Sequence, residues 1–134
     1  MKKVILIVQS IPEWLDILKM IFRQEFPEAS IIATDSFDFA VDLAHKQKEI
    51  NVVCSNMFYD ESSIHRGRVI QKVDDSLKDS NMLAKLIKEL NTTAKVFCFS
   101  GNEPANKEYL DGYVIKDENN NYKESLSKLL EVIR

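Results

Sequence analysis

"KKVILIVQSIPEWLDILKMIF", residues Lys2 to Phe22, contains the change of period that decides the fold. Its first part carries a nearly unbroken apolar run, Val4 to Val8, as a strand covered on both faces requires. Its second part places Trp14, Ile17, Leu18, Ile21 and Phe22 at the i, i+3, i+4, i+7, i+8 spacing of one helical stripe. Between them, Ser10 and Glu13 match the S-x-x-E pattern of a capping box. Pro12 falls in the first turn, where its missing N–H costs nothing.

The same alternation continues along the chain. "SIIAT" (residues 30–34) is a second, shorter strand, followed by a helix in "DSFDFAVDLAHKQK" with Phe37, Ala40, Val41 and Ala44 on one stripe. "INVVCS" (50–55) and "AKVFCFS" (94–100) are the third and fourth strands. The helix between them is "SNMLAKLIKEL", with Leu83, Leu86, Ile87 and Leu90 on one face. "DGYVIK" (111–116) is the fifth strand. "NYKESLSKLLEVIR" closes the chain with Tyr122, Leu126, Leu129, Leu130 and Ile133 on a stripe, and Asn121 and Glu124 fit an N-x-x-E cap. Five strands alternating with helices predict an α/β fold: a doubly wound, five-stranded parallel sheet of flavodoxin-like type. Right-handed crossovers favour strand order 2-1-3-4-5.

Composition sets bounds on function. The chain has 134 residues, of which 45% are hydrophobic and 29% charged, within the range of one ordinary globular domain. A net charge of −3 provides no basic face for nucleic acid, so no such partner is expected. The Val4–Val8 run is far shorter than a spanning helix or signal-peptide core, so the expectation is a cytoplasmic protein with no membrane partner. Cys54 and Cys98 lie inside apolar runs with no CxxC, and there are only two histidines, so no metal site is expected. Each cysteine precedes the polar residue at its strand end by two positions, which leaves two readings: a redox pair, or two small buried hydrophobes.

In doubly wound folds, ligands sit beyond the carboxyl ends of the strands. Here those ends are Gln9-Ser10, Asn56, Ser100 and Lys116. With "VILIVQSIPEWLDILKMIF", "NVVCSN", "VFCFSG" and "DGYVIK" in this order, the chain resembles the CheY-like receiver domains of bacterial response regulators over nearly its whole length. The resemblance places Gln9 and Ser10 at the family's acidic metal-binding pair and Asn56 at the phospho-accepting aspartate. Ser100 falls at its hydroxyl, Lys116 at its lysine and Tyr113 at its switch aromatic. The acids are therefore replaced by neutral side chains. Mg²⁺ prefers charged oxygen ligands and phosphoryl transfer needs a carboxylate nucleophile, so the resemblance implies a degenerate pseudo-receiver without cofactor or catalytic residue. Asp60 and Glu61 are the nearest stray carboxylates in sequence.

Two further departures concern length. In a single receiver-like domain spanning residues 1–134, segment 57–79 after the third strand is longer than the family's habit. Region 101–110, where the family carries its fourth helix, is shorter. The long segment offers Phe58, Tyr59, Arg66, Arg68 and Ile70 as a partner-binding stretch, and "HRGR" (65–68) taken alone reads either as a phosphate-binding tetrad or as a solvated loop. Within it, "IQKVDDSL" sets Ile70, Val73 and Leu77 on one side as a weak helix. The expected function is bacterial signal transduction through a protein partner, with a homodimer as one form. The alternative is a small-molecule or anion sensor built on the neutralised pocket around Lys116. No nucleophile–base pair or carboxylate dyad can be assembled from the strand ends, so an enzyme is not expected. Smaller expectations are that Lys116 hydrogen-bonds nearby carbonyl oxygens, the amide oxygen of Asn56 among them, and that Asn56 fixes its loop through side-chain-to-backbone bonds.

Overall fold

Strand β1 (Val4–Val8) lies inside a parallel sheet and is buried along its full length. Around it stand β2 (Ser30–Thr34), β3 (Val52–Ser55), β4 (Lys95–Ser100) and β5 (Gly112–Ile115), in the spatial order β2-β1-β3-β4-β5 expected from the sequence. The helices are α1 (Pro12–Glu25), α2 (Phe37–Lys46), α3 (Ser80–Leu90) and α4 (Lys123–Ile133), the last preceded by a 3₁₀ turn at Asn119–Tyr122. These elements come from a computed structural model that describes residues 3–47, 49–56 and 79–134. Phe58, Tyr59, Asp60, Glu61, Arg66, Arg68 and Ile70, together with the helix expected in 70–77, lie outside the described residues.

Strand alternation divides the apolar side chains between two cores. Val4, Leu6, Val8, Val53 and Val96 meet Phe37, Ala40 and Ala44 of α2 and Leu83, Ala84 and Ile87 of α3. On the other face, Ile5, Ile7, Val52, Cys54, Phe97, Phe99 and Val114 meet Leu18 and Phe22 of α1 and Leu129 and Ile133 of α4. Full burial of a side chain such as Phe22 or Phe99 contributes on the order of 2 kcal/mol. At the β4–β5 junction, Gly112 lies opposite Phe97, and a Cβ there would meet that ring at 3.3 Å.

The register decides the relation of the two cysteines. β3 pairs with β4 so that Cys54 lies opposite Phe97 and Cys98 opposite Ser55. A stagger of one residue sends successive side chains to opposite faces. Cys54 therefore joins the α1/α4 core, while the Cys98 thiol approaches the Ser100 hydroxyl at 3.7 Å. Both thiols are free, and the redox-pair reading fails on this geometry.

Helix starts also depart from expectation. Ile11, not Ser10, is the N-cap of α1, and it makes no side-chain cap bond. The capping box fails because the Ser10 hydroxyl is engaged across the sheet by Asn56. At α4 the N-cap is Tyr122, in the left-handed region at φ 62°, again without a side-chain bond. The 3₁₀ turn carries Asn121 to φ 54°, out of the extended conformation a cap residue needs. Two caps do form elsewhere: Ser36 Oγ accepts from Phe39 N at 3.1 Å, and Asp79 Oδ1 accepts from Met82 N at 2.8 Å. Between β4 and β5, the described chain makes turns without a helix. Asn81 Oδ1 accepts from Tyr109 N at 2.8 Å, and Asp79 Oδ2 accepts from Asn106 Nδ2 at 3.3 Å, so this loop is tied to the start of α3.

Candidate functional site

The carboxyl ends of β1, β3, β4 and β5 bring Gln9, Ser10, Asn56, Ser100 and Lys116 to one edge of the sheet. Gln9 continues β1: its N–H donates to Thr34 O at 3.0 Å. Its side chain is fully buried, yet among the described residues neither Oε1 nor Nε2 has a hydrogen-bond partner. A buried amide left unsatisfied costs on the order of 1–3 kcal/mol, so the position carries strain that a well-packed apolar residue would not.

Asn56 follows β3 and is almost wholly buried. Its Oδ1 accepts the Ser10 N–H at 3.2 Å and its Nδ2 donates to Ser10 Oγ at 2.8 Å. The backbone N–H of Asn56 donates to Val8 O at 3.1 Å, so the end of β3 is fastened to the β1–α1 turn at three points. An amide suits this role because it presents a donor and an acceptor side by side. The first of these bonds is the side-chain-to-backbone contact expected of Asn56.

Ser100 ends β4, and its hydroxyl donates to Asn102 O at 2.6 Å, within its own turn. Its carbonyl accepts the Lys116 N–H at 2.7 Å. The Lys116 side chain does not bond carbonyl oxygens as expected. Its Nζ lies 4.6 Å from the Trp14 ring centroid and 5.3 Å from that of Phe99, a cation over two aromatic faces. Trp14 is edge-on to Phe99 at 5.4 Å and to Tyr122 at 4.8 Å, which fixes the cradle. Among the described residues the ammonium has no hydrogen bond or ion pair. Burial beside these rings disfavours the charged form and pulls the lysine pKa down to about 8. Burial likewise pushes both cysteine thiols up.

Tyr113, at the aromatic position, points outward and is 37% exposed. Its hydroxyl donates to Glu103 Oε1 in a short hydrogen bond, and Lys107 lies over its ring at 5.2 Å while pairing with Glu103 at 3.2 Å. That hydrogen bond raises the phenol pKa and lowers that of the Glu103 carboxyl. Ser100 and Tyr113 are thus each held by partners in the β4–β5 loop, not by each other.

Mg²⁺, the cation this kind of site would hold, does not fit these residues. Gln9, Ser10 and Asn56 carry no charge, and Ser10 and Asn56 occupy one another's polar atoms. Among the described residues, no group of three or more His, Cys, Asp or Glu could hold a metal ion. Beside the strand ends, β5 and α4 border an open groove of about 770 Å³. It is lined by Tyr113, Ile115, Lys116, Tyr122 and Val132 together with Asp117, Glu118, Glu124 and Glu131, Glu124 being paired with Lys128 at 3.6 Å.

Sequence reading found the strand-end residues but missed the Trp14 cradle, the Glu103–Lys107 clamp and the groove. Trp14 read as one more residue of the α1 stripe, and nothing local in sequence links it to Lys116. Glu103 and Lys107, four positions apart, were a readable pair, but Tyr113 as their target follows only from the course of the loop.

No protein-family model and no curated protein matches the sequence. Among solved structures, 99% of the chain is similar to 67% of a response regulator protein from Burkholderia pseudomallei, with TM-score 0.70 and 13% identity. That structure holds a phosphorylated aspartic acid, a calcium ion and citrate. The chain is also similar to adenylate cyclase from Rhodopirellula baltica (TM-score 0.67, 13% identity, 99% of this chain and 87% of that one). For the chemotaxis protein CheY4 of Vibrio cholerae the TM-score is 0.66 at 11% identity, over 100% of both chains. Identities this low establish the fold, that of receiver domains, and leave the chemistry to the residues at the site.

Proposed function

We propose that this chain is a pseudo-receiver: a receiver-fold module that acts in bacterial signal transduction by binding a protein partner, without phosphoryl transfer. The observation that carries this reading is the reciprocal pair of hydrogen bonds between Asn56 and Ser10. The position that would take a phosphoryl group holds an amide already committed to structure, and an amide is no nucleophile at neutral pH. Ser100 and Tyr113 are engaged locally, so an acyl phosphate would find neither free to respond. Partner affinity would then be set by a fixed surface and not by a kinase. The β5–α4 groove supplies such a surface, its lining combining Tyr113, Ile115 and Val132 with four carboxylates against Lys116 and Lys128, an acidic excess suited to a partner segment carrying lysine or arginine. A cytoplasmic location belongs to the same reading. Among the described residues no helix is long and apolar enough to cross a membrane.

The experiment is an amide-resolved NMR titration with Mg²⁺ and beryllofluoride. The expected spectrum is unchanged at Ser100, Tyr113 and Lys116. Saturable shifts centred on Ser100 would show that the phosphoryl site still works and would end the proposal. An affinity capture from the native host, compared with a Tyr113→Ala, Val132→Ala variant, then reads whether the groove holds the partner.

A second reading, an anion sensor, is favoured by one observation: Gln9 has both amide atoms unpartnered while Lys116 has no acidic counter-ion among the described residues. A thermal-shift screen of small anions separates the two. A stabilising hit that disappears in Lys116→Met supports the sensor, and a flat screen removes it.

A further inference from the structure

We propose that Lys116 is a covalent modification site, an amine that forms an imine with small neutral aldehydes arriving along the β5–α4 groove. The inference does not depend on the partner-binding reading, because it concerns one side chain and its surroundings.

Three features support it. The first is the cradle: Nζ rests 4.6 Å from the Trp14 ring centroid and 5.3 Å from that of Phe99, so its near walls are aromatic and apolar. Amines desolvated in this way act as nucleophiles, since they lose water and part of the advantage of the charged form. The second is what the strand ends withhold. Gln9, Ser10 and Asn56 are neutral, and among the described residues no carboxylate pairs with the ammonium. The third is access, because Lys116 lines a groove open to solvent.

The rest of the setting suits the product. An iminium keeps the positive charge at the same nitrogen, so the rings that hold the ammonium also hold the adduct. Asp117 and Glu118 in the groove lining make an anionic aldehyde a poor visitor and a neutral one a better one. The other titratable groups that act on the amine are Cys54 and Cys98, which burial keeps in their neutral thiol form.

The chemistry balances without an added oxidant or reductant. The neutral amine attacks the carbonyl carbon, and the carbonyl oxygen takes up a proton to give a carbinolamine. Loss of that hydroxyl as water leaves the imine, and addition of water reverses every step.

The test uses the intact wild-type chain with propionaldehyde and cyanoborohydride, which delivers hydride to the iminium and fixes it as a secondary amine. Peptide mapping then ranks the lysines by rate. At pH 7.5 an amine with a pKa of about 8 is roughly one-quarter neutral, against about one part in a thousand for an ordinary lysine. Its lower basicity gives back about a factor of ten in nucleophilicity, by analogy with the thiol slope. Allowing for partial burial, Lys116 is expected to label about tenfold faster than the exposed Lys95 and Lys128, with the preference lost above the ordinary lysine pKa. Labelling of Lys116 no faster than those two at pH 7.5 would overturn the proposal. So would a preference that persists unchanged in strong alkali, which would mark proximity alone. Lys116→Met confirms the assignment of the labelled peptide. If that variant does not fold, the wild-type map still decides.

Discussion

Asn56 and Ser10 are joined by two hydrogen bonds of opposite sense, Oδ1 accepting from the Ser10 N–H at 3.2 Å and Nδ2 donating to Ser10 Oγ at 2.8 Å. This pairing turns a position suited to chemistry into a clip between β3 and the β1–α1 turn. Asn56→Ala removes both bonds and strands the Ser10 groups near a buried edge, so a stability loss of about 2 kcal/mol is expected in urea unfolding. Asn56→Asp keeps the acceptor for the Ser10 N–H and replaces the Nδ2 donor with a second acceptor, to which the Ser10 hydroxyl can rotate to donate, and is expected to lose less. Equal losses in the two variants would mean that the clip is not what stabilises this edge.

Trp14 is the single tryptophan of the chain and carries the Lys116 ammonium on its face, so its fluorescence reports that charge. A titration midpoint near 8 is expected in the wild type and none in Lys116→Met. The linkage has a definite sign. Below about pH 8 the lysine is protonated in both folded and unfolded chains, and the cost of burying the charge is fully present. Between that value and the ordinary lysine value of 10.5 the unfolded chain binds more protons, so this group makes stability rise with pH. The wild type should therefore gain on Lys116→Met across that window in parallel unfolding curves. A constant difference between the two curves would mean that the amine titrates as it does in water.

What could be read from sequence follows the range of the interactions. The Val4–Val8 run and the α1 stripe are local patterns, and the sheet order follows from connection rules once five strands with helical stripes after four of them are seen. The strand-end residues could be located for the same reason. Their partners were not readable, because Asn56 meets Ser10 and Lys116 meets Trp14 across the sheet. The two caps assigned to Ser10 and Asn121 failed for related reasons: a competing tertiary bond took the first hydroxyl, and a 3₁₀ turn displaced the second. Which of the two cysteine readings holds depended on a register that alternation within each strand does not supply, and a shift of one residue decided it for two buried hydrophobes and against the redox pair.

Tyr113 is held outward by Glu103, whose carboxylate accepts the phenol proton donor while Lys107 covers the ring. Loss of Glu103 should free the hydroxyl without disturbing the core, since all three groups are at the surface. In Glu103→Ala, the tyrosinate absorbance attributable to Tyr113, assigned by difference from Tyr113→Phe, is expected to titrate at lower pH than in the wild type. The aromatic resonances of Tyr113 should also show faster ring reorientation. An unchanged phenol titration would place the control of this side chain elsewhere.

Cys54 and Cys98 sit on adjacent strands but opposite faces, Cys54 among Phe97 and Phe99 and Cys98 beside Ser100. Two thiols divided by the sheet cannot reach the separation of roughly 2 Å that a disulfide requires without moving backbone. Treatment of the native protein with diamide is therefore expected to leave both free, as read by mass after unfolding and alkylation. Burial holds both thiols above the ordinary cysteine value of 9.0, so above that pH the unfolded chain has released protons that the folded chain still binds. Stability from these groups is present at neutral pH and falls as pH rises past the unfolded value, opposite in sign to the contribution of Lys116. Cys54→Ala and Cys98→Ala, measured singly, should each flatten the alkaline loss, with Cys54→Ala also costing stability at neutral pH through the cavity it leaves in a core of large side chains. A native intramolecular disulfide after diamide, or an alkaline limb unchanged in both variants, would contradict the burial of the two thiols on opposite faces of the sheet.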